Sequence, residues 1–208
     1  MKRNKRNRRI GLTGGICSGK STVSGRLLEK GAYIIDADVI SREALEPETE
    51  CFSDTVKAFG KEILTEEGRI DRKLLANIIF SDEEKKLKLN SIIHPFVISE
   101  MVRIADQNES ISPEQLIVFD VPLLFTCGFY RDLDQNVVVA ADEEIRIKRI
   151  MARNKLTEQE ARARIVAQMP QDEQIRLADY VIWNNGTREE LFRKVDELYH
   201  ILTAGMKK

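Results

Sequence analysis

Residues 11–22 read GLTGGICSGKST, and within them Gly14 to Ser21 spell G-x-x-x-x-G-K-S. Two glycines, a lysine and a hydroxyl at this spacing form a loop whose backbone N–H groups can cradle phosphate, provided that a strand enters it and a helix leaves it. Both are predicted here: RIGLT (9–13) is an apolar strand, and residues 20–30 read as a helix. Gly14, Gly15 and Gly19 allow close backbone approach, Lys20 reaches the β- and γ-phosphates, Ser21 offers its hydroxyl to magnesium, and Thr22 reaches the α-phosphate. Ile16, Cys17 and Ser18 complete the nucleotide-binding segment. Cys17 is read as a small side chain tolerated in the loop, not as a nucleophile.

Outward from this loop, further apolar runs alternate with helical patterns, as expected for an α/β protein with a parallel sheet covered on both faces. Four more strands are predicted at AYIID (32–36), LIVFD (116–120), NVVVAA (136–141) and YVIW (180–183). Capping boxes at Ser81/Glu84, Thr157/Glu160 and Thr187/Glu190 mark helix starts. The last helix places Leu191, Val195, Leu198 and Leu202 on one face and is expected to stop at Gly205. Between strands two and three, residues 39–110 are far more than a crossover requires and read as a helical insertion. The insertion is expected to break at His94-Pro95, because proline disfavours helix in the residue before it. The chain thus resolves into a basic tail (1–8) and one domain (9–208), with core segments 9–38, 114–142 and 170–208, the insertion at 39–110 and a lid at 143–169.

A phosphate cradle alone does not choose between a switch protein, a motor and a kinase. The segment after Asp120 reads DVPLLF, without the glycine of a guanine-nucleotide switch, and NKLT (154–157) follows a helical pattern instead of a strand. Asp36 and Asp38 stand at the end of strand two, the edge of a parallel sheet where ligands bind. A carboxylate there can accept the proton of a hydroxyl acceptor, although one of the pair can equally cap the next helix. Asp120, at the end of strand three, is the second candidate magnesium ligand after Ser21. The helical pair from 143 to 168 is rich in arginine. Arg149 and Arg153, four apart, are the pair expected to close over the transferred phosphoryl group, while most of the others form solvated Glu–Arg pairs.

The bulk properties exclude several other classes. A net charge of -1 produces no global attraction to nucleic acid or membrane, and no run approaches the roughly twenty apolar residues of a membrane span. The run MKRNKRNRR (1–9) lacks the apolar stretch of a secretion signal and reads as a solvated tail, although a nucleic-acid arm is its alternative. Cys17, Cys51 and Cys127 are dispersed, which fits a reducing cytoplasm and argues against a disulfide framework or zinc site. The expected state is a monomer or weak homo-oligomer with a small-molecule substrate and no nucleic-acid or membrane partner.

Taken together, GLTGGICSGKST, IIDADVISR, LNSIIHP, DVPLLF, RIMAR, ARIVAQM and ADYVIWNNG, in this order, resemble the dephospho-CoA kinase family over residues 10–186. The resemblance implies a P-loop kinase fold, with a five-stranded parallel sheet, a helical substrate-binding insertion and a helical lid. It implies transfer of the γ-phosphoryl group of ATP, with Mg2+, to the ribose 3'-hydroxyl of dephospho-CoA. It assigns Asp38 to the acceptor hydroxyl, Arg149 or Arg153 to the lid, Asn184 to the neighbourhood of adenine, and Asp36, Arg42, His94 and Pro95 to the CoA side. The chain departs from the family where Cys17 replaces a usual glycine, Thr126 a usual glutamate and Arg146 a common glutamine. The alternatives are a P-loop kinase for another small hydroxyl compound and a non-catalytic nucleotide-binding regulator.

Overall fold

The structure, a computed structural model, describes residues 8–80 and 82–204. The chain divides into two compact units, one built on the residues through Ile35 and from Ala105 onward, the other on Asp36–Ile104.

The first unit holds five strands: β1 (Arg9–Gly14), β2 (Tyr33–Asp36, whose last residue begins the second unit), β3 (Ile117–Asp120), β4 (Gln135–Ala140) and β5 (Tyr180–Trp183). Their order in the sheet is β2-β3-β1-β4-β5, and they run parallel. The expected strands are all present, each with ends within one residue of the expectation. β1, β3 and β4 are buried almost throughout, which explains why they read as continuous apolar runs without alternation. One face packs on α1 (Lys20–Glu29) through Val23 and Leu27, and on the C-terminal helix Arg188–Thr203 through Leu191, Val195, Leu198 and Leu202. The 3- and 4-residue spacings of those leucines and valines are what set one stripe of each helix against the sheet. Burying each such side chain is worth about 1.5–3 kcal/mol. The opposite face carries Phe125, Val138 and Ala140, covered in part by Tyr130, Met169 and Ile175.

Arg9, the last cation of the basic run, opens β1 as expected and is buried, with its guanidinium paired to Glu109 at 2.8 Å and to Asp106. An arginine entering a central strand beside the end of a long helix finds two carboxylates there, and pairing is what makes its burial tolerable. Arg8 donates to the carbonyls of Ile201 and Ala204. Residues 1–7, which hold the rest of the run, lie outside the described residues, as do Ser81 and Gly205. The other two capping boxes, Thr157 with Glu160 and Thr187 with Glu190, form in full.

The second unit is helical: α2 (Ala37–Glu43), α3 (Glu50–Phe59), a short 3-10 turn at Lys61–Ile63, α4 (Arg72–Phe80) and most of α5 (Glu83–Ile111), with one antiparallel bridge between Leu64 and Ile70. Here the expected break at His94-Pro95 does not occur, and α5 runs through Pro95 without interruption. Leu89, Ile93, Val97, Met101 and Ala105 are buried at a constant spacing of four across the proline. An unbroken apolar stripe outweighs the roughly 3 kcal/mol that an interior proline costs.

His94 is half-buried on this helix, and burial pulls its imidazole below the ordinary value of 6.5. Between the native and the unfolded pKa the unfolded chain holds the extra proton, so stability rises with pH in that window. This contribution is complete above pH 6.5 and is lost as the pH falls through the native value. The urea midpoint is therefore expected to drop between pH 7.5 and pH 5.5, and His94→Gln to flatten that drop. An equal drop in the variant would remove His94 as its source.

Candidate active site

The loop between β1 and α1 is built as its sequence requires. Gly19 has φ +104°, and a Cβ there would collide with Asn184 Nδ2. On Gly15 a Cβ would stand 2.5 Å from Arg146 Nη2. Ser18 is buried, and its N–H donates to the Gly15 carbonyl at 3.0 Å, closing a tight turn. Cys17 sits at φ +58°, a left-handed conformation that costs a side-chain-bearing residue about 1–2 kcal/mol and glycine almost nothing. Glycine at this position would relieve that strain.

At the start of α1 the cap position is Gly19, with no side-chain cap and no acidic residue in the first turn. The positive end of this helix is thus left for an anion. Lys20, Ser21 and Thr22 follow at once, and Lys20 Nζ donates to the buried carboxylate of Asp120 at the end of β3. The cleft above the loop has a volume of about 720 Å³ and is lined by Lys20, Arg149, Arg153 and Arg188, with no carboxylate among its lining residues. Lys20 is paired with Asp120; beyond it, Arg149, Arg153 and Arg188 line the concavity without a lining carboxylate, and this positive potential favours an anion.

Helices α6 (Glu143–Asn154) and α7 (Glu158–Val166) form the arginine-rich pair. Arg149 points inward, donating to the Cys17 carbonyl at 3.3 Å and to the Asn184 carbonyl at 3.0 Å. Arg153, one turn on, is exposed at the rim of the same cleft and donates to Asn154 Oδ1. Arg162 forms the expected solvated pairs, with Glu143, Glu144 and Glu158. Asn184, at the end of β5, donates from Nδ2 to the Ser18 carbonyl at 2.7 Å, so its side chain braces the loop.

Three residues of this site were given no role in the sequence reading. Arg188 lines the cleft one residue after the capping threonine Thr187. Gln168 Oε1 accepts from the Ile16 N–H at 2.8 Å. Arg146 is only 4% exposed and donates from Nε to the Ile16 carbonyl at 3.1 Å. Burial pulls its pKa below the usual guanidinium value, against the opposing pull of Glu143 and Cys17. Nothing local marks Gln168 or Arg188, whereas Arg146 was visible as a departure from the resembling family.

In the second unit, Asp36 Oδ1 accepts from the N–H groups of Asp38 at 2.8 Å and Val39 at 3.3 Å, so Asp36 is the cap of α2 and Asp38 lies in its first turn. Arg42 is exposed on α2, with its carbonyl accepting from Arg72, and His94 and Pro95 lie in mid-α5. Thr126 is exposed. Among the described residues there is no cluster of three or more His, Cys, Asp or Glu able to hold a metal, the three cysteines are free, and no helix is long and apolar enough to cross a membrane.

Gly19→Ala is expected to abolish ATP-induced stabilisation and to cost ~2 kcal/mol or more, since it combines a strained φ with displacement of Asn184. Thermal melts with and without ATP check this. A variant that melts like the parent and still responds to ATP would contradict it.

A strand, a glycine-rich turn and a lysine at an uncapped helix start, in a parallel sheet of order β2-β3-β1-β4-β5, define a P-loop phosphate-binding fold. The sequence profile of the dephospho-CoA kinase family matches residues 8–190. The dephospho-CoA kinase of Geobacillus kaustophilus is 46% identical over 187 residues, 89% of this chain and 92% of that one. The solved dephospho-CoA kinase from Campylobacter jejuni superposes with a TM-score of 0.74 at 26% identity, covering 96% of this chain and 98% of that one. Shikimate kinase from Acinetobacter baumannii, at 18% identity and a TM-score of 0.52 over 97% of this chain and 96% of its own, shares the fold. The chain belongs to the dephospho-CoA kinase family, and as a member of it is an ATP-dependent kinase.

Proposed function

We propose that this chain transfers the γ-phosphoryl group of ATP to the ribose 3'-hydroxyl of dephospho-CoA, giving coenzyme A and ADP, the last step of coenzyme A synthesis. The observation that carries the reading is the cleft at the glycine-rich loop, lined by four cations and no carboxylate, in a chain of this family. In the transfer, the bond from the γ-phosphorus to the β-phosphate oxygen breaks and a bond to the acceptor oxygen forms. Charge develops on the transferred group, and fixed cations in a cleft stabilise it without reorganising. Lys20 and the loop N–H groups hold the phosphates, Arg149 and Arg153 neutralise the migrating group, and Asp38 takes the proton leaving the hydroxyl. Asp36, which caps the helix carrying Asp38, orients it. Arg42, His94 and Pro95 are assigned to the CoA side, and Asn184 to the nucleotide side through its hold on the loop.

Ser21 and Asp120 would hold magnesium. A hydroxyl and a carboxylate are the hard oxygen donors that this ion takes, with the rest of its shell supplied by phosphate and water, so no larger protein cluster is needed. Bound there, it would neutralise charge on the β- and γ-phosphates. The setting is proposed to be the cytoplasm, with the chain a monomer or weak homo-oligomer and no nucleic-acid partner. Free cysteines and a near-neutral net charge support this.

The test is ADP release with and without dephospho-CoA. Strong stimulation is expected. Stimulation by a nucleoside monophosphate or a sugar acid, and none by dephospho-CoA, would overturn the substrate assignment.

A further inference from the structure

Arg146 is a buried cation with no directly bonded counter-charge among the described residues, although Asp142, Glu143 and Asp172 line the same crevice. Glu143 and Glu144, the acidic residues nearest to it in sequence, are engaged by Arg162 at 2.9 and 2.8 Å, and Arg146 forms no salt bridge among the described residues. Its hydrogen bonds go to neutral oxygens: the Ile16 carbonyl at 3.1 Å and, weakly, Gln171 Oε1 at 3.4 Å. An unpaired charge at this depth is costly to the folded chain unless an anion joins it.

The position explains which anion. In a trans peptide the carbonyl oxygen and the following N–H point in opposite directions. Arg146 holds the Ile16 carbonyl and does not line the nucleotide cleft, whereas Cys17 does. The Cys17 N–H is thereby turned toward the cleft. Arg149 holds the next carbonyl, that of Cys17, so both peptides around the strained φ of +58° are pinned by α6. Gln168 holds the Ile16 N–H from the segment after α7.

We propose that Arg146 is a positioning residue for the nucleotide phosphates: from behind the loop it aims the Cys17 N–H at them and adds a positive charge that no salt bridge within the described residues takes up. This rests on the kinase reading above. It predicts opposite effects on the free and the liganded protein, which a merely structural arginine does not produce.

The experiment compares the full chain with Arg146→Gln, which keeps a donor and loses the charge, and Arg146→Lys, which keeps the charge. Melting temperature is measured without ligand and with saturating ATP and magnesium, together with the ATP dissociation constant and the KM and kcat of the transfer. Arg146→Gln is expected to melt about 2–4 °C higher without ligand. It is expected to gain less from ATP and to bind it roughly tenfold more weakly, with KM for ATP rising more than kcat falls. Arg146→Lys is expected to recover most of the ATP response. A wild-type chain indifferent to ATP overturns the kinase reading and this inference together. A wild type stabilised by ATP, beside an Arg146→Gln chain stabilised equally or destabilised without ligand, overturns the inference alone.

Discussion

Replacing Lys20 by methionine is expected to lower kcat/KM by about 10³-fold, or ~4 kcal/mol of transition-state stabilisation. Lys20 is the first residue of α1, held by the backbone of a loop whose glycines admit no alternative path, and its ammonium already faces the end of β3. A point charge so fixed acts on the charge that develops during transfer, with little rearrangement to undergo. The same substitution carries a second effect. Asp120 is buried and loses its cation, and removing one partner of such a pair costs about 3 kcal/mol. A melting temperature lower by roughly 6–12 °C follows for a chain of this size. The two effects separate in the double variant Lys20→Met/Asp120→Asn, which is expected to regain most of the stability and none of the activity. A double variant that regained activity along with stability would reduce Lys20 to a structural role, and a single variant within tenfold of the parent would do the same.

Asp38→Asn is expected to lower kcat by about 10²–10⁴-fold while leaving ATP affinity within about twofold. The amide has the size of the carboxylate and cannot take the hydroxyl proton. Asp36→Ala is the control that distinguishes chemistry from helix structure. Asp36 accepts from the N–H groups of Asp38 and Val39, and losing such a cap costs about 1 kcal/mol. Its expected signature is therefore a lower melting temperature with a smaller fall in rate, the reverse of Asp38→Asn. Initial rates at saturating ATP and dephospho-CoA, measured beside melts, read both. Near-normal turnover in Asp38→Asn would remove it as the proton acceptor.

The parts of this site that could be read from the chain share one property, which is that their determinants are neighbours in sequence. The strand, the glycines, Lys20 and the helix start are contiguous between Arg9 and Glu29, so their mutual geometry is set by backbone stereochemistry over a few residues. The capping boxes at Thr157 and Thr187 are three-residue devices for the same reason. Cys17 was visible as an odd letter, and its φ of +58° turns the oddity into a definite strain. By contrast, the reading of Pro95 as a break applied a local rule where packing prevailed. The buried series from Leu89 to Ala105 runs straight through it.

What the sequence by itself determined is the α/β class, the five strands in chain order, the phosphate loop and the two acidic strand ends, because each follows from periodicity and from contacts a few residues apart. What only the tertiary structure decided is which side chains meet across the chain: Arg9 with Asp106 and Glu109, Lys20 with Asp120, Gln168 with the Ile16 N–H, and Arg146 with the Ile16 carbonyl. Most of the arginines on α6 and α7 carry the same signal in sequence. Their roles diverge because the packing of α6 buries one flank against the loop and leaves the other in water, and a charge acquires its function from the dielectric and the partners it is given.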